Sequence, residues 1–207
     1  VTVAQDLYET HILSNDFERL GLFALLADRL KVQRALYPGS FVHISPSFFI
    51  PSVTYVDNDR RCPGFFVDPA ILRMVFDRRN YPQKPEIAFH YGDYFKPIDE
   101  EPESFDLLIS QWAGPVSQAC RRYLRIGGTL VANDSHGDAS LANLDQDYAL
   151  AAVITMRSGE YEMSDKDLGS YFATRSGKVI TRDDIERTGR GFAYTRRAEV
   201  YAFKRLR

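Results

Sequence analysis

Cysteine is scarce in this chain: Cys62 and Cys120 are the only two among 207 residues. They form no C-x-x-C pair and have no run of histidine ligands beside them, which argues against a disulfide framework and a structural zinc site. No apolar run approaches the roughly 18 residues of a membrane span, and the N-terminus has no basic segment leading into an apolar one. The expectation is therefore a cytoplasmic protein with no membrane attachment. Charge of one sign is also lacking. A formal net charge of −2 provides no overall field to gather phosphate backbones, so nucleic-acid binding would require a local patch. No repeat, low-complexity tract or long linker divides the sequence, and no Asp/His/Glu cluster has metal-ligand spacing. What is present is ordinary for a soluble domain: 44% hydrophobic and 26% charged residues, in a chain long enough for one sizeable core. A single domain over residues 1–207 is expected, with a cap and helix (1–30), a cofactor-binding core (31–136) and a part completing the sheet (137–207).

Strand and helix patterns alternate along most of that length. Ser14 reads as an N-cap, with Asp16 and Glu18 in the first turn and Phe17, Leu20, Ala24, Ala27 and Leu30 at helical spacing. A first strand, 33–37, runs into Gly39, and after a short connection a second ends at Asp57-Asn58-Asp59. Asp68-Pro69 opens a helix carrying Ile71, Leu72, Val75 and Phe76. Strands follow at 86–91 and 105–110. A helical stripe from Val116 to Leu124 is expected to end at Gly127-Gly128, before a fifth strand at 129–132. Residues 149–156 and 198–204 read as further strands, the latter as an edge closing the sheet, with short helices between them at 161–171 and 181–188. This alternation predicts a Rossmann-like, doubly wound α/β fold: a mostly parallel seven-stranded sheet, helices on both faces and an antiparallel edge strand near the C-terminus.

In such a sheet the carboxyl ends of the strands line one crevice. Four of them carry suitable chemistry: Tyr37-Pro38-Gly39-Ser40, Asp57-Asn58-Asp59, Gly92-Asp93-Tyr94 and Ser110-Gln111-Trp112. Gly39 permits close approach of backbone to a ligand, and Ser40 adds a hydroxyl. Asp57 can accept from both hydroxyls of a ribose. Asp93 can accept from an adenine amino group, Tyr94 offers a ring face, and Trp112 can wall the reacting end.

This order resembles the class I S-adenosylmethionine-dependent methyltransferases over about residues 14 to 135. The resemblance implies S-adenosylmethionine as cofactor, with Gly39 near its aminoacyl part, Asp57 on the ribose and Asp93 on the adenine. Tyr37, Ser40, Asn58, Tyr94, Ser110 and Trp112 would frame it. The first motif departs from the family: Tyr37-Pro38 stands near the usual acid, and Phe41 occupies the place of a second glycine. The expected activity is methyl transfer to a small or medium-sized acceptor. Two other readings stay open, a non-catalytic member of the fold and a dinucleotide-dependent oxidoreductase, the latter opposed by the lack of G-x-G-x-x-G.

Beyond the fifth strand, Asn133-Asp134-Ser135-His136-Gly137-Asp138 is the candidate for chemistry. His136 supplies an imidazole able to take a proton from a nucleophile, with Asn133 or Asp134 orienting it or the substrate. The plainer reading makes Asp134 and Ser135 a turn and Asp138 a helix cap. His43 and His90 read as packed or exposed histidines, while Tyr8 and His11 either pack or cover the cleft. From Arg187 to Arg207, basic residues interleave with Phe192, Tyr194, Tyr201 and Phe203. That pattern suits RNA contact, but it equally fits a strand with solvated charges, and the low net charge favours the strand.

Overall fold

The structure, a computed structural model, describes residues 1–207, and its backbone forms two compact units, Val1–Asp99 and Glu100–Arg207.

In the first unit, helix α1 (Val3–Tyr8) opens with a capping box: the Thr2 hydroxyl accepts from the Gln5 N–H, and the Gln5 side chain accepts from the Thr2 N–H. It continues into a π-helical turn, Glu9–Leu13. Ser14 is not an N-cap. It closes that turn by donating its N–H to Glu9 O at 2.9 Å, and left-handed Asp16 and Arg19 reverse the chain before α2 (Leu20–Leu30). The inner face of α2 buries Leu22, Phe23 and Leu26. Strands β1 (Arg34–Pro38), β2 (Ser52–Asp57) and β3 (Glu86–Tyr91) are parallel, with β2 between the other two. Helices α3 (Cys62–Phe66) and α4 (Pro69–Arg78) connect β2 to β3, and Asp68 caps α4 as expected, accepting from the Ala70 N–H at 2.8 Å.

The link from β1 to β2 holds a single helical turn, Ser45–Phe48, and is buried from Val42 to Phe48. Side chains satisfy backbone that no regular helix satisfies. Tyr55 donates its hydroxyl to Ile44 O at 3.1 Å and accepts from the Ser47 hydroxyl at 2.6 Å, while Tyr81 donates to Ser47 O at 2.7 Å. Glu18 receives both Arg78 Nη1 and Nη2, at 2.7 and 3.1 Å, together with the Tyr8 hydroxyl at 2.8 Å. Burial would raise the Glu18 carboxyl, but these donors outweigh it and hold the carboxyl below its usual range.

The second unit contains β4 (Phe105–Ser110), α5 (Val116–Ala119), β5 (Leu124–Ala132), α6 (Asp138–Leu144), β6 (Tyr148–Arg157), β7 (Glu160–Ser164), α7 (Arg182–Thr188) and β8 (Val200–Arg205). Its strands lie in the order β4-β5-β8-β6-β7, with β4 and β5 parallel and the other pairings antiparallel. Parallel strands with crossover helices, continued by an antiparallel C-terminal part, make the chain a Rossmann-like α/β protein.

Three expectations change here. Gly127-Gly128 does not end a helix but lies inside β5, where the pairing with β4 shifts register and Gly127 takes φ +74°. Residues 161–171 are not a helix. Ser158 and Gly159, both with positive φ, form a two-residue turn that folds β7 back onto β6, giving eight strands in all. Strand β8 is not an edge, since it lies between β5 and β6, and β7 takes the outside position.

Candidate functional site

In the first unit, three of the expected strand ends stand side by side. The Gly39 N–H donates to Val56 O at 2.8 Å, and the Gly92 N–H donates to Asp57 O at 3.0 Å, so the turns after β1 and β3 flank the end of β2. Gly39 has φ +65°, where a side chain would be strained. Asp57 is the centre of this edge, but its carboxylate is already engaged. One oxygen accepts from the Phe41 N–H at 2.7 Å, the other accepts from the Asp59 N–H at 2.8 Å, and the buried Cys62 thiol also bonds to it. A carboxylate has about four acceptor directions, so Asp57 retains capacity for one further hydroxyl rather than two. Asp93, half-buried, receives the Phe95 N–H on one oxygen at 3.0 Å. Tyr94 stacks on Phe95 at 4.9 Å, and Asn58 is exposed.

Phe41 makes the glycine turn unusual. It adopts φ +46°, a conformation costing a β-carbon residue about 1–2 kcal/mol. Its ring lies under the Arg61 guanidinium at 4.5 Å and against the His11 ring at 5.1 Å, while Arg61 is held by Asp59 through two contacts of 2.8 and 2.9 Å. Arg61 pulls the Asp59 carboxyl down to about 2. His11 thus lies over the turn, whereas Tyr8 is buried against Phe65 with its hydroxyl on Glu18 and Ser45. Backbone donors at this turn are partly used: the N–H groups of Gly39, Phe41 and His43 go to Val56 O, Asp57 and Ser40 O, while those of Ser40 and Val42 have no partner.

Tyr37 does not face this edge. It is fully buried, and its hydroxyl meets His43 Nδ1 at 2.9 Å, so it belongs to the core. The strand is covered on both faces, and alternation along it therefore does not reveal which residues reach a ligand. Ser40 is buried as well, its hydroxyl directed to Phe41 O.

In the second unit, the loop after β5 lies beside the end of β4 through a bond from the Asn133 N–H to Ser110 O at 3.1 Å. Ser110 is no ligand-facing group: it is buried and donates to Asp138 at 2.6 Å. Trp112 is 45% exposed with φ +64°. Gly114 lies close to His136: a β-carbon there would stand 3.1 Å from His136 Cβ. His136 is exposed and meets the Ser135 hydroxyl through Nδ1 at 3.0 Å, while that hydroxyl donates to Asn133 Oδ1 at 2.8 Å. Because the serine proton points at Asn133, Ser135 accepts from an Nδ1–H, and His136 Nε2 is left with its lone pair free. Asn133 Nδ2 is buried without a partner.

Asp134 has a different part from the one expected. It is largely buried, accepts from the Ser140 N–H and hydroxyl at 2.8 Å each and from the Phe192 backbone, and burial raises its carboxyl. It fixes the first turns of α6 and the segment near Gly191, where any β-carbon would collide with Asp134. The basic C-terminal stretch is partly neutralised: Arg187 pairs with Asp184, Arg196 with Asp167, Arg205 with Glu103 and Arg207 with Asp147. No helix is long and apolar enough to cross a membrane.

No protein-family model and no curated protein matches the chain. Solved structures do. An O-methyltransferase of tomaymycin synthesis from Streptomyces achromogenes, in complex with SAM, shares 14% identity at TM-score 0.49, covering 79% of this chain and 87% of its own. A methyltransferase from Geobacter sulfurreducens gives 16% identity, TM-score 0.49 and coverage of 79% and 89%. A putative S-adenosyl-L-methionine-dependent methyltransferase from Methanococcus maripaludis gives 14%, 0.48, 99% and 91%. These likenesses are loose, and the functional reading rests on the residues described above.

Among those residues, Arg61, Ser135 and Ser140 were not foreseen. Ser135 had a signal, since a serine between an asparagine and a histidine at a strand end can link both. Arg61 had none, because its place over Phe41 follows from the strained turn.

Proposed function

We propose that this chain binds S-adenosylmethionine at the β1, β2 and β3 ends and catalyses methyl transfer to a small acceptor carrying a hydroxyl or similar nucleophile. The observation that carries this reading is the lateral alignment of the Gly39 turn, Asp57 and Asp93 at the carboxyl edge of three parallel strands. The residues fit the cofactor unevenly. Asp57 has room for a ribose hydroxyl, and Asp93 has a second carboxylate oxygen for an amino group. At the turn, the N–H of Ser40, which has no acceptor in the protein, suits a carboxylate. Bound there, the cofactor supplies an electrophilic methyl group. His136 Nε2, left as an acceptor by the Asn133–Ser135–His136 chain of hydrogen bonds, takes the proton of the nucleophile, and Asn133 and Ser135 orient the ring. Trp112, just after β4, offers an exposed apolar surface.

Calorimetric titration with S-adenosylmethionine, S-adenosylhomocysteine and NAD tests the cofactor assignment. Both sulfur cofactors are expected to bind and NAD is not; tighter binding of NAD would make the chain a dinucleotide protein. Asp93→Ala is the informative variant, because Asp57 also holds the turn. A lost hydrogen bond to the adenine should weaken S-adenosylhomocysteine about tenfold, and unchanged affinity would remove Asp93 from the site. Once an acceptor is in hand, His136→Ala should lower kcat about a hundredfold with cofactor affinity intact. Undiminished turnover would make His136 structural.

The occupied carboxylate of Asp57 and the Phe41–Arg61–His11 cluster favour one second reading, a fold member that binds without catalysing. In that case the cofactor titration succeeds, and no acceptor yields S-adenosylhomocysteine.

A further inference from the structure

The segment between β7 and β8 lines a solvent-open cavity of about 700 Å³ that has no part in the proposed methyl transfer. Its apolar wall is Ile180, Phe192 and Tyr194; Ile180 and Tyr194 pack with Leu141 and Ile185 in one buried cluster, against which Phe192 rests. Three cations line it, Arg175, Lys178 and Arg197, and no carboxylate does. Lys178 is paired with Asp184 at 3.1 Å, but Arg175 and Arg197 have no acidic partner. The neutral polar groups are used internally: the Thr174 hydroxyl donates to Lys178 O at 2.8 Å, that of Thr195 donates to Ser170 O at 2.9 Å, and the Tyr194 hydroxyl is bonded to Ser140 at 2.7 Å. What remains for a ligand is an apolar wall and two uncompensated guanidinium groups, in a volume that suits a small molecule. A guanidinium presents a fork of donors matched to carboxylate and phosphate oxygens.

We propose that this cavity binds an amphipathic anion, its apolar body against Ile180, Phe192 and Tyr194 and its carboxylate or phosphate on Arg175 and Arg197. The wall is also tied to the loop bearing His136. Tyr194 meets Ser140, Ser140 donates to Asp134, and Gly191 fits only because it lacks a side chain beside Asp134.

The test is calorimetric titration of the full chain with naphthoate, naphthyl phosphate and naphthylmethanol, which share one apolar body and differ in charge. At least one anion is expected to bind, one molecule per chain and about tenfold or more tighter than the alcohol; the tighter anion identifies the head group. The double variant Arg175→Gln/Arg197→Gln, at exposed positions, should keep the wild-type melting temperature and bind the anions no better than the alcohol. The proposal is overturned if the alcohol matches the anions, if the double variant binds them undiminished, or if nothing binds at millimolar concentration. The result is independent of the methyl-transfer reading, since none of the three ligands is a sulfur cofactor.

Discussion

Asp138→Ala should destabilise the protein by about 3–5 kcal/mol, because the change leaves three buried donors without an acceptor at about 1–3 kcal/mol each, less what the serine hydroxyls recover by rotating. Asp138 is fully buried. It accepts from the Ser110 hydroxyl at 2.6 Å, from the Ser117 N–H at 3.0 Å and from the Ser117 hydroxyl in a shorter contact. Ser110 ends β4, Ser117 lies in the first turn of α5, and Asp138 begins α6, so one carboxyl joins three elements of the second unit. Burial pushes this carboxyl up, and although the serine donors pull it back, it stays above its usual range. In a chain of this length the loss corresponds to a melting point lower by about 10 °C. The same substitution made in a Ser110→Ala/Ser117→Ala background should cost clearly less, because two of the stranded donors are gone. A loss below about 1 kcal/mol in the wild-type background would mean that the serines find other acceptors.

Acidification from neutral pH should remove about 3 kcal/mol of stability through His43 alone. His43 is buried in the first unit between Tyr37 and Glu18. Its Nε2 faces Glu18 O at 3.3 Å and must donate, which leaves Nδ1 to accept from the Tyr37 hydroxyl at 2.9 Å. Burial is the main cause that pushes the imidazole down to about 4 from its ordinary 6.5. The depressed value means that the unfolded chain takes up this proton first. The contribution is complete above pH 6.5 and is lost as pH falls towards 4, at about 1.4 kcal/mol per pH step. Denaturant unfolding at intervals between those limits measures it. His43→Gln should flatten the slope relative to wild type, and equal slopes would assign the loss to other groups.

The sequence revealed strands more faithfully than it revealed which way their side chains point. Glu86–Tyr91 and Phe105–Ser110 begin and end as expected, since short apolar runs between turn residues leave little choice. Asp68-Pro69 and Thr181 open helices as their chemistry requires. The failures have specific causes. Ser158-Gly159 is a short hairpin signal, and the residues beyond it resemble a helix in sequence although they form β7. Gly127-Gly128 resembles a terminator in sequence but is an irregularity inside β5. At the candidate site, the places of Gly39, Asp57 and Asp93 at the strand ends are legible because each closes an apolar run. The inward turn of Tyr37 and Ser110 was not, and neither was the use of Asp57 to hold Phe41, since both depend on partners distant in sequence. Asp134 is engaged in holding the start of α6, closer to the plainer expectation than to the catalytic one, and Asp138 is the first residue of α6 rather than its cap.

The central claim, that the ends of β1, β2 and β3 hold the cofactor, is tested most directly by amide hydrogen exchange with and without saturating S-adenosylhomocysteine. Added protection is predicted at residues 39–42, 57–59 and 92–94, with Ser40 among the amides that change most, because its N–H has no acceptor in the protein. Protection confined to other segments, or none at a saturating concentration, would contradict the account.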